Sequence, residues 1–238
     1  MTGTIRSLAR RWLSPAMLVR ARVIERGLPA VRWGNLRRTR PISESYGFDR
    51  GTPIDRFYLD RFLSAHAAAI TGTVLEIQVN SYTKKFGRDV RVSHTLDITP
   101  QFAPTHLCDL ALADRLIPEA TYDCVLLPNT LQHLRDLEPA LKNAMRMLKP
   151  GGTLLASAAG LARLTEPNAD FWRCSAEGWR LIAARVWPGC EVEIDASGNC
   201  LAAVAGLHGI AVEELDAHEL EYQDDRFPVL ITICCRKP

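Results

Sequence analysis

The chain lacks any run of apolar residues approaching the ~20 that a bilayer-spanning helix requires, which excludes a helical membrane protein as the reading of this sequence. It also lacks the apolar core of a secretory leader, because arginine interrupts every candidate stretch near the amino end. C-x-x-C spacing is missing, and the seven cysteines are an odd number, so neither a disulfide framework nor a zinc site is indicated. Reduced thiols and a cytoplasmic setting are the expectation, with no metal. Internal repeats and low-complexity tracts are absent too, which removes solenoids and collagen-like chains. Acids are almost missing from the first 40 residues, where Glu25 stands against ten arginines.

That last deficit gives residues 1–40 a charge of +9 in a chain of net +2, so the rest carries −7. We read residues 1–52 as a basic arm and residues 53–238 as the principal domain. The spacing of Trp12, Leu13, Ala16, Met17, Arg20 and Val23 fits one amphipathic helix suited to lying on a membrane surface. Plain solvated packing and an acidic or nucleic-acid partner are the alternatives for the arm.

What the remainder contains is an alternation of strand-like and helix-like periods. Strands are expected at 74–79, 90–96, 106–109, 122–127, 153–158, 191–194 and 229–235, and helices at 54–69, 137–148, 176–186 and 201–207. Strands alternating with helices predict an α/β fold: a Rossmann-like, doubly wound, mostly parallel seven-stranded sheet with helices on both faces. Between the second and third strands the chain is too short for a crossover helix, and Pro100 and Pro104 mark a bare loop. At Lys149-Pro150-Gly151-Gly152 a helix must stop, and a strand is expected from Thr153.

In such sheets the ligand crevice lies beyond the carboxyl ends of the strands, so polar residues there are the candidates for chemistry. They are Glu76, Gln78 and Asn80 after the first strand, Asp97 after the second, Asp109 after the third, and Asn129 and His133 after the fourth.

The stretch Val74-Leu75-Glu76-Ile77-Gln78-Val79-Asn80-Ser81-Tyr82 resembles the first motif, roughly V-L-E-I-G-x-G-x-G, of the class I S-adenosylmethionine-dependent methyltransferases. The resemblance continues through Cys108-Asp109-Leu110, the strand Tyr122–Leu127, the run Asn129–Leu134, and Leu148-Lys149-Pro150-Gly151-Gly152. Segments Tyr46–Gly51, Pro53–Tyr58, Tyr82–Gly87, Asp170–Arg173 and Gly198-Asn199 look like a bacterial type 11-like subgroup found beside glycan and natural-product pathways.

The resemblance implies S-adenosylmethionine as cofactor and a role for each residue. Glu76 would orient the first turn and meet the cofactor's amino group, with Gln78 and Asn80 standing where the family has glycine. Asp97, or failing it His94, would face the ribose hydroxyls. Asp109 would accept from the adenine amino group, and Leu110 would lend its backbone amide. Asn129 and His133 would line the floor near the methyl group, with His133 as the base. Tyr46, Trp172 and Arg173 would contact the acceptor. Each role has a plainer counterpart: a satisfied polar histidine, a turn-capping Asp97, a Trp172 packed under a loop, and a Tyr46 that tethers the arm.

The implied activity is methyl transfer to oxygen or nitrogen of a small-molecule or glycan acceptor. A methyltransferase-like scaffold without catalysis is the alternative, motivated by the missing glycines. A nucleic-acid methyltransferase ranks below both, since Leu127-Pro128-Asn129-Thr130 stands where an N/D-P-P-Y/F motif would be. Peripheral contact with the inner membrane face through the arm completes the expectations.

Overall fold

The computed structural model describes residues 14–27, 31–165 and 169–238, in two compact units, 1–40 and 41–238. In the first unit the described chain forms helix α1, Pro15–Glu25, and one 3-10 turn, Gly34–Leu36. Trp12 and Leu13 of the expected amphipathic stripe, and the side chain of Arg20, lie outside the described residues.

The second unit begins at Pro41, earlier than the sequence suggests, because residues 41–52 are bonded into it. The amides of Ile42 and Ser43 both donate to the carbonyl of His208, and the amide of Val212 donates to the carbonyl of Thr52. Glu213 accepts from the amide of Thr52 at 2.9 Å and from its hydroxyl at 2.8 Å.

Seven strands form one sheet in the order β3-β2-β1-β4-β5-β7-β6. They are β1 Gly72–Ile77, β2 Val90–Asp97, β3 His106–Leu107, β4 Tyr122–Leu127, β5 Leu148–Ala159, β6 Glu191–Ser197 and β7 Leu230–Arg236. All neighbours pair in parallel except β7, which is antiparallel to both β5 and β6. The doubly wound, mostly parallel sheet follows from strands apolar on both faces. Along β4, Cys124 and Leu126 face one core while Val125 and Leu127 face the other.

Helices cover both faces. On one lie α2, Ile54–Ala65, and α6, Cys200–His208, whose Ile54, Tyr58, Leu59, Leu63, Ala202 and Ala205 pack on Val74, Leu126 and Leu155. On the other lie α4, Leu137–Met147, and α5, Ala176–Val186, with Leu141, Ala144, Trp179 and Ala183 against Leu75, Val125 and Leu154. Two further helices are short: α3, Ser81–Phe86, and α7, Ala217–Glu221.

Strand β5 starts at Leu148, five residues before the expected Thr153, because the carboxyl end of the chain clamps the turn. Gly151 adopts φ +76° and donates its amide to the carbonyl of Lys237, whose own amide donates to Gly152. The link from β2 to β3 contains only a 3-10 turn, Pro100–Phe102, as the prolines predict. With no crossover helix there, β3 keeps two residues.

A polar bridge helps to hold that edge. The hydroxyl of Tyr122, fully buried on β4, lies 3.1 Å from His94 Nδ1 on β2 and 2.8 Å from His106 Nε2 on β3. The hydroxyl can donate to one ring nitrogen and accept from the other, so a single side chain links three strands. Burial, and then the neighbouring His94, hold the His106 imidazole below its ordinary value; burial pushes the Tyr122 hydroxyl up to about 12, so it stays protonated.

A histidine whose folded value is depressed stabilises the protein fully above the unfolded value of ~6.5 and loses that contribution as pH falls through its folded value. The substitution His106→Gln keeps a hydrogen-bonding side chain but removes the titration. Urea midpoints at pH 7.5 and pH 5.0 are expected to fall further for the natural chain than for this variant. Parallel pH dependences would show that the bridge does not carry the charge.

Candidate functional site

The sheet order reverses between β1 and β4, and the polar residues at the carboxyl ends of β3, β2, β1 and β4 line that edge. Their placement begins with Glu76. Its side chain is buried, one oxygen accepting from the amide of Tyr82 at 3.0 Å, the other from the amide and hydroxyl of Thr83, both at 2.7 Å. These amides belong to the first turn of α3, whose N-cap residue Asn80 makes no side-chain cap bond. Glu76 therefore caps α3 from the preceding strand, supplying acceptors and negative charge where a helix start needs both. Burial pushes its carboxyl above the usual carboxylate range, against the opposing pull of Thr83 and Tyr82.

Between strand and helix the backbone turns through Gln78 at φ +66°, the left-handed conformation that glycine takes without strain. Its amide donates to the carbonyl of Leu96 at 2.8 Å, and its side chain is exposed. Gln78 thus reproduces the backbone of a glycine turn while adding a side chain at the edge. Asn80 donates to Ser93 Oγ at 3.3 Å, tying the turn to β2.

Asp97 ends β2. Its Oδ1 accepts from the amide of Thr99 at 3.0 Å, whereas Oδ2 is buried without a hydrogen-bond partner. Asp109 follows β3 as the N-cap of the 3-10 turn Leu110–Arg115; its Oδ1 accepts from the amide of Ala111 at 2.8 Å, and the residue is exposed. Leu110 is buried. Register pairs Asp97 with Leu107 of β3, and Asp109 follows two residues later.

Beyond β4 the expected floor residues are engaged with protein. Asn129, at φ +47°, donates Nδ2 to Asp55 of α2 at 2.7 Å and its amide to Ser157 of β5 at 2.7 Å. Buried Gln132 donates to the carbonyl of Asn129 at 2.8 Å and accepts from the amide of Ala159 at 3.3 Å, which fixes its amide orientation. Its Nε2 lies 3.2 Å from His133 Nε2. A donor facing Nε2 places the imidazole proton on Nδ1, which is 3.0 Å from the carbonyl of Ala169 and 3.2 Å from Asp170 Oδ1.

Asp170 is buried to zero exposure, with Oδ2 accepting from the amide of Thr165 at 2.9 Å and from Arg173 at 2.5 Å. Arg173, expected at the acceptor, also donates to the carbonyls of Gly160 and Arg163. Trp172 is likewise engaged: its indole donates to the carbonyl of Leu134 at 2.7 Å and its ring packs against the core. Both side chains hold the loop after β5. Tyr46, at φ +58°, joins them by donating to the carbonyl of Leu164 at 3.1 Å under the guanidinium of Arg163.

Asp55, Gln132, Ser157 and Asp170 are contacts that the sequence reading did not single out. Asp55 and Asp170 do fall in the segments Pro53–Tyr58 and Asp170–Arg173, whose resemblance was noted without a role for either acid.

The sheet order and the antiparallel β7 give a Rossmann-like fold of the kind that class I S-adenosylmethionine-dependent methyltransferases have. Residues 61–156 match the family model described as a methyltransferase domain. A solved S-adenosylmethionine-dependent methyltransferase from Archaeoglobus fulgidus superposes with a TM-score of 0.51 at 15% identity, covering 76% of this chain and 94% of that one. One from Listeria monocytogenes gives 0.51 at 11% identity, with 78% and 97% covered. A possible histamine N-methyltransferase from Thermotoga maritima gives 0.50 at 17% identity, with 78% and 92% covered. At these identities the likeness is one of fold. No curated protein matches the chain in sequence.

The residues at the carboxyl edge fit the cofactor of this class, S-adenosylmethionine. The unpartnered Asp97 Oδ2 is an acceptor suited to a ribose hydroxyl, Asp109 leaves an exposed carboxylate for an amino group, and Gln78 preserves the turn. Glu76 fits differently from the expectation, because its oxygens are taken by α3 and it shapes the turn.

Replacing Glu76 with Gln substitutes a donor for one acceptor opposite buried amides. A loss of about 1–3 kcal/mol is expected from urea unfolding, the cost of leaving such groups unsatisfied. Unchanged stability would show that α3 does not depend on this cap.

Proposed function

We propose that the protein transfers the methyl group of S-adenosylmethionine to oxygen or nitrogen of a small-molecule or glycan acceptor. The observation that carries this reading is the row of acceptors on adjacent strand ends, above all the buried, unpartnered Oδ2 of Asp97 beside the exposed carboxylate of Asp109.

When bound, the cofactor supplies an electrophilic methyl group on a sulfonium sulfur. In this reading Asp97 accepts from the ribose hydroxyls, Asp109 accepts from the adenine amino group, and the Leu110 backbone amide donates to the ring. The left-handed turn at Gln78 shapes the edge beside them. In-line transfer depends chiefly on positioning, and the loop after β5 would supply it on the acceptor side. That loop is held by Asp170, Trp172 and Arg173 and met by Tyr46.

His133 is the proton acceptor in this reading. Its proton on Nδ1 leaves the Nε2 lone pair facing a Gln132 donor at 3.2 Å, a long hydrogen bond that an acceptor hydroxyl or amine can replace. The seven free cysteines, with Cys124 and Cys235 fully buried, support a reducing, cytoplasmic setting.

A second reading, a methyltransferase-like scaffold without catalysis, draws on the side chain at Gln78 and on the capture of Asn129 by Asp55 and Ser157. Calorimetric titration with S-adenosylmethionine separates the two. Saturable binding is expected, and none at millimolar cofactor would remove the enzyme reading. Asp109→Ala is expected to weaken binding by at least ~1 kcal/mol, about fivefold, the worth of one hydrogen bond. Equal affinity would show that the adenine lies elsewhere. Gln78→Gly is expected to bind at least as tightly as the natural chain, since it keeps the turn and clears the edge. Weaker binding would instead make the Gln78 side chain a contact of the cofactor.

A further inference from the structure

Residues 1–40 form a unit of their own. Its composition is specific. Ten arginines stand against one acid, with neither lysine nor aspartate, while residues 41–238 carry −7. In its described part, large apolar side chains stand in solvent between the arginines: Met17 is 55% exposed, Ile24 78%, Val31 72% and Trp33 56%. Arg26, Arg32, Arg37, Arg38 and Arg40 are exposed alongside them.

We propose that this arm docks the protein peripherally on an anionic phospholipid surface. Two properties have to be satisfied at once. The positive charge calls for a phosphate-rich partner, and guanidinium forks bind phosphate oxygens in pairs. Nucleic acid and anionic lipid meet that requirement equally.

The exposed apolar groups decide between them. On a nucleic-acid backbone Ile24 and Val31 would remain in water, whereas at a bilayer they enter the boundary between headgroups and acyl chains. Trp33 is suited to the same depth, with an apolar ring and one polar N–H. Spanning is excluded for α1, since 11 residues rise about 16 Å at 1.5 Å each against a hydrocarbon core of ~30 Å. No helix of the described residues is long and apolar enough to cross a membrane.

The charge division gives this docking a direction of dependence. An anionic surface repels the −7 remainder, so attraction has to come from the arm, and it is screened within a Debye length of ~8–10 Å at physiological ionic strength. Salt therefore weakens the first encounter, while the inserted apolar groups resist salt. This two-part behaviour distinguishes interfacial insertion from a purely electrostatic contact.

The test is vesicle flotation of the full chain at 0.05 M and 0.5 M salt, with phosphatidylcholine vesicles containing about a third phosphatidylglycerol and with pure phosphatidylcholine. Binding to the anionic vesicles, at least tenfold weaker for the neutral ones and weakened by salt, is the expected result. Arg32→Gln with Arg37→Gln and Arg38→Gln should lower partitioning severalfold at low salt. Ile24→Ser with Trp33→Ser should lower it at least threefold at both salt concentrations. All five positions lie in the arm, and thermal unfolding checks that the domain is unaltered.

Equal binding to neutral and anionic vesicles, or none to either, overturns the proposal. So does tighter binding to a duplex DNA or RNA of mixed sequence, with Ile24→Ser and Trp33→Ser without effect, which would make the arm a nucleic-acid contact. Cofactor titration of the same variants is independent of these outcomes.

Discussion

The carboxylate of Glu76 governs how the first strand hands over to the crevice. A parallel sheet needs a helix or turn to leave the carboxyl end of β1 without burying unsatisfied amides, and α3, with six residues, has no N-cap side chain to help it. Glu76 meets that need from inside the strand, with three donors at 2.7–3.0 Å. Burial raises the cost of the charge, and the three donors offset it, so the acid is tolerable only while the turn keeps its shape. The left-handed residue at Gln78 follows from this geometry. That conformation costs roughly 1–2 kcal/mol for an L-residue.

The opposite flank of the crevice is built with less material. Where a doubly wound sheet ordinarily carries a crossover helix, the β2–β3 link is one 3-10 turn, and β3 is two residues long. Main-chain pairing over so short an edge leaves Asp97 and Asp109 dependent on other supports. The Tyr122 hydroxyl supplies one by reaching from β4 across to histidines on β2 and β3. The other is local: each aspartate spends one oxygen on its own turn, through Thr99 and Ala111, and keeps its second oxygen uncommitted. That division lets an acid be fixed in place and still offer an acceptor.

Much of the fold was legible because the interior strands are nearly continuous apolar runs. Tyr122–Leu127 and the helix Ala176–Val186 fall where periodicity puts them, since burial on both faces of β4 and one face of the helix leaves little choice of residue. The failures have physical causes outside the local sequence. Helix α3 has no period to detect and borrows its cap from Glu76. The early start of β5 depends on Lys237, some 85 residues away, and the inclusion of residues 41–52 in the larger unit depends on bonds to His208 and Val212. At the carboxyl edge, the rule of strand ends could not show that Asn129, Trp172 and Arg173 have protein partners. Those partners, Asp55, Ser157, Leu134 and Asp170, come from other elements.

The same long-range bonds determine what His133 can do. Its imidazole is oriented from two sides by groups with no freedom of their own: Gln132, whose amide is fixed by Asn129 and Ala159, and the Ala169-Asp170 pair, fixed by Thr165 and Arg173. Asp170 Oδ1, with its side chain buried, lies 3.2 Å from Nδ1. Gln132 is tied in turn to the loop after β5, because its backbone carbonyl accepts from the amide of Phe171. Loop position and the orientation of the imidazole are therefore one mechanical problem.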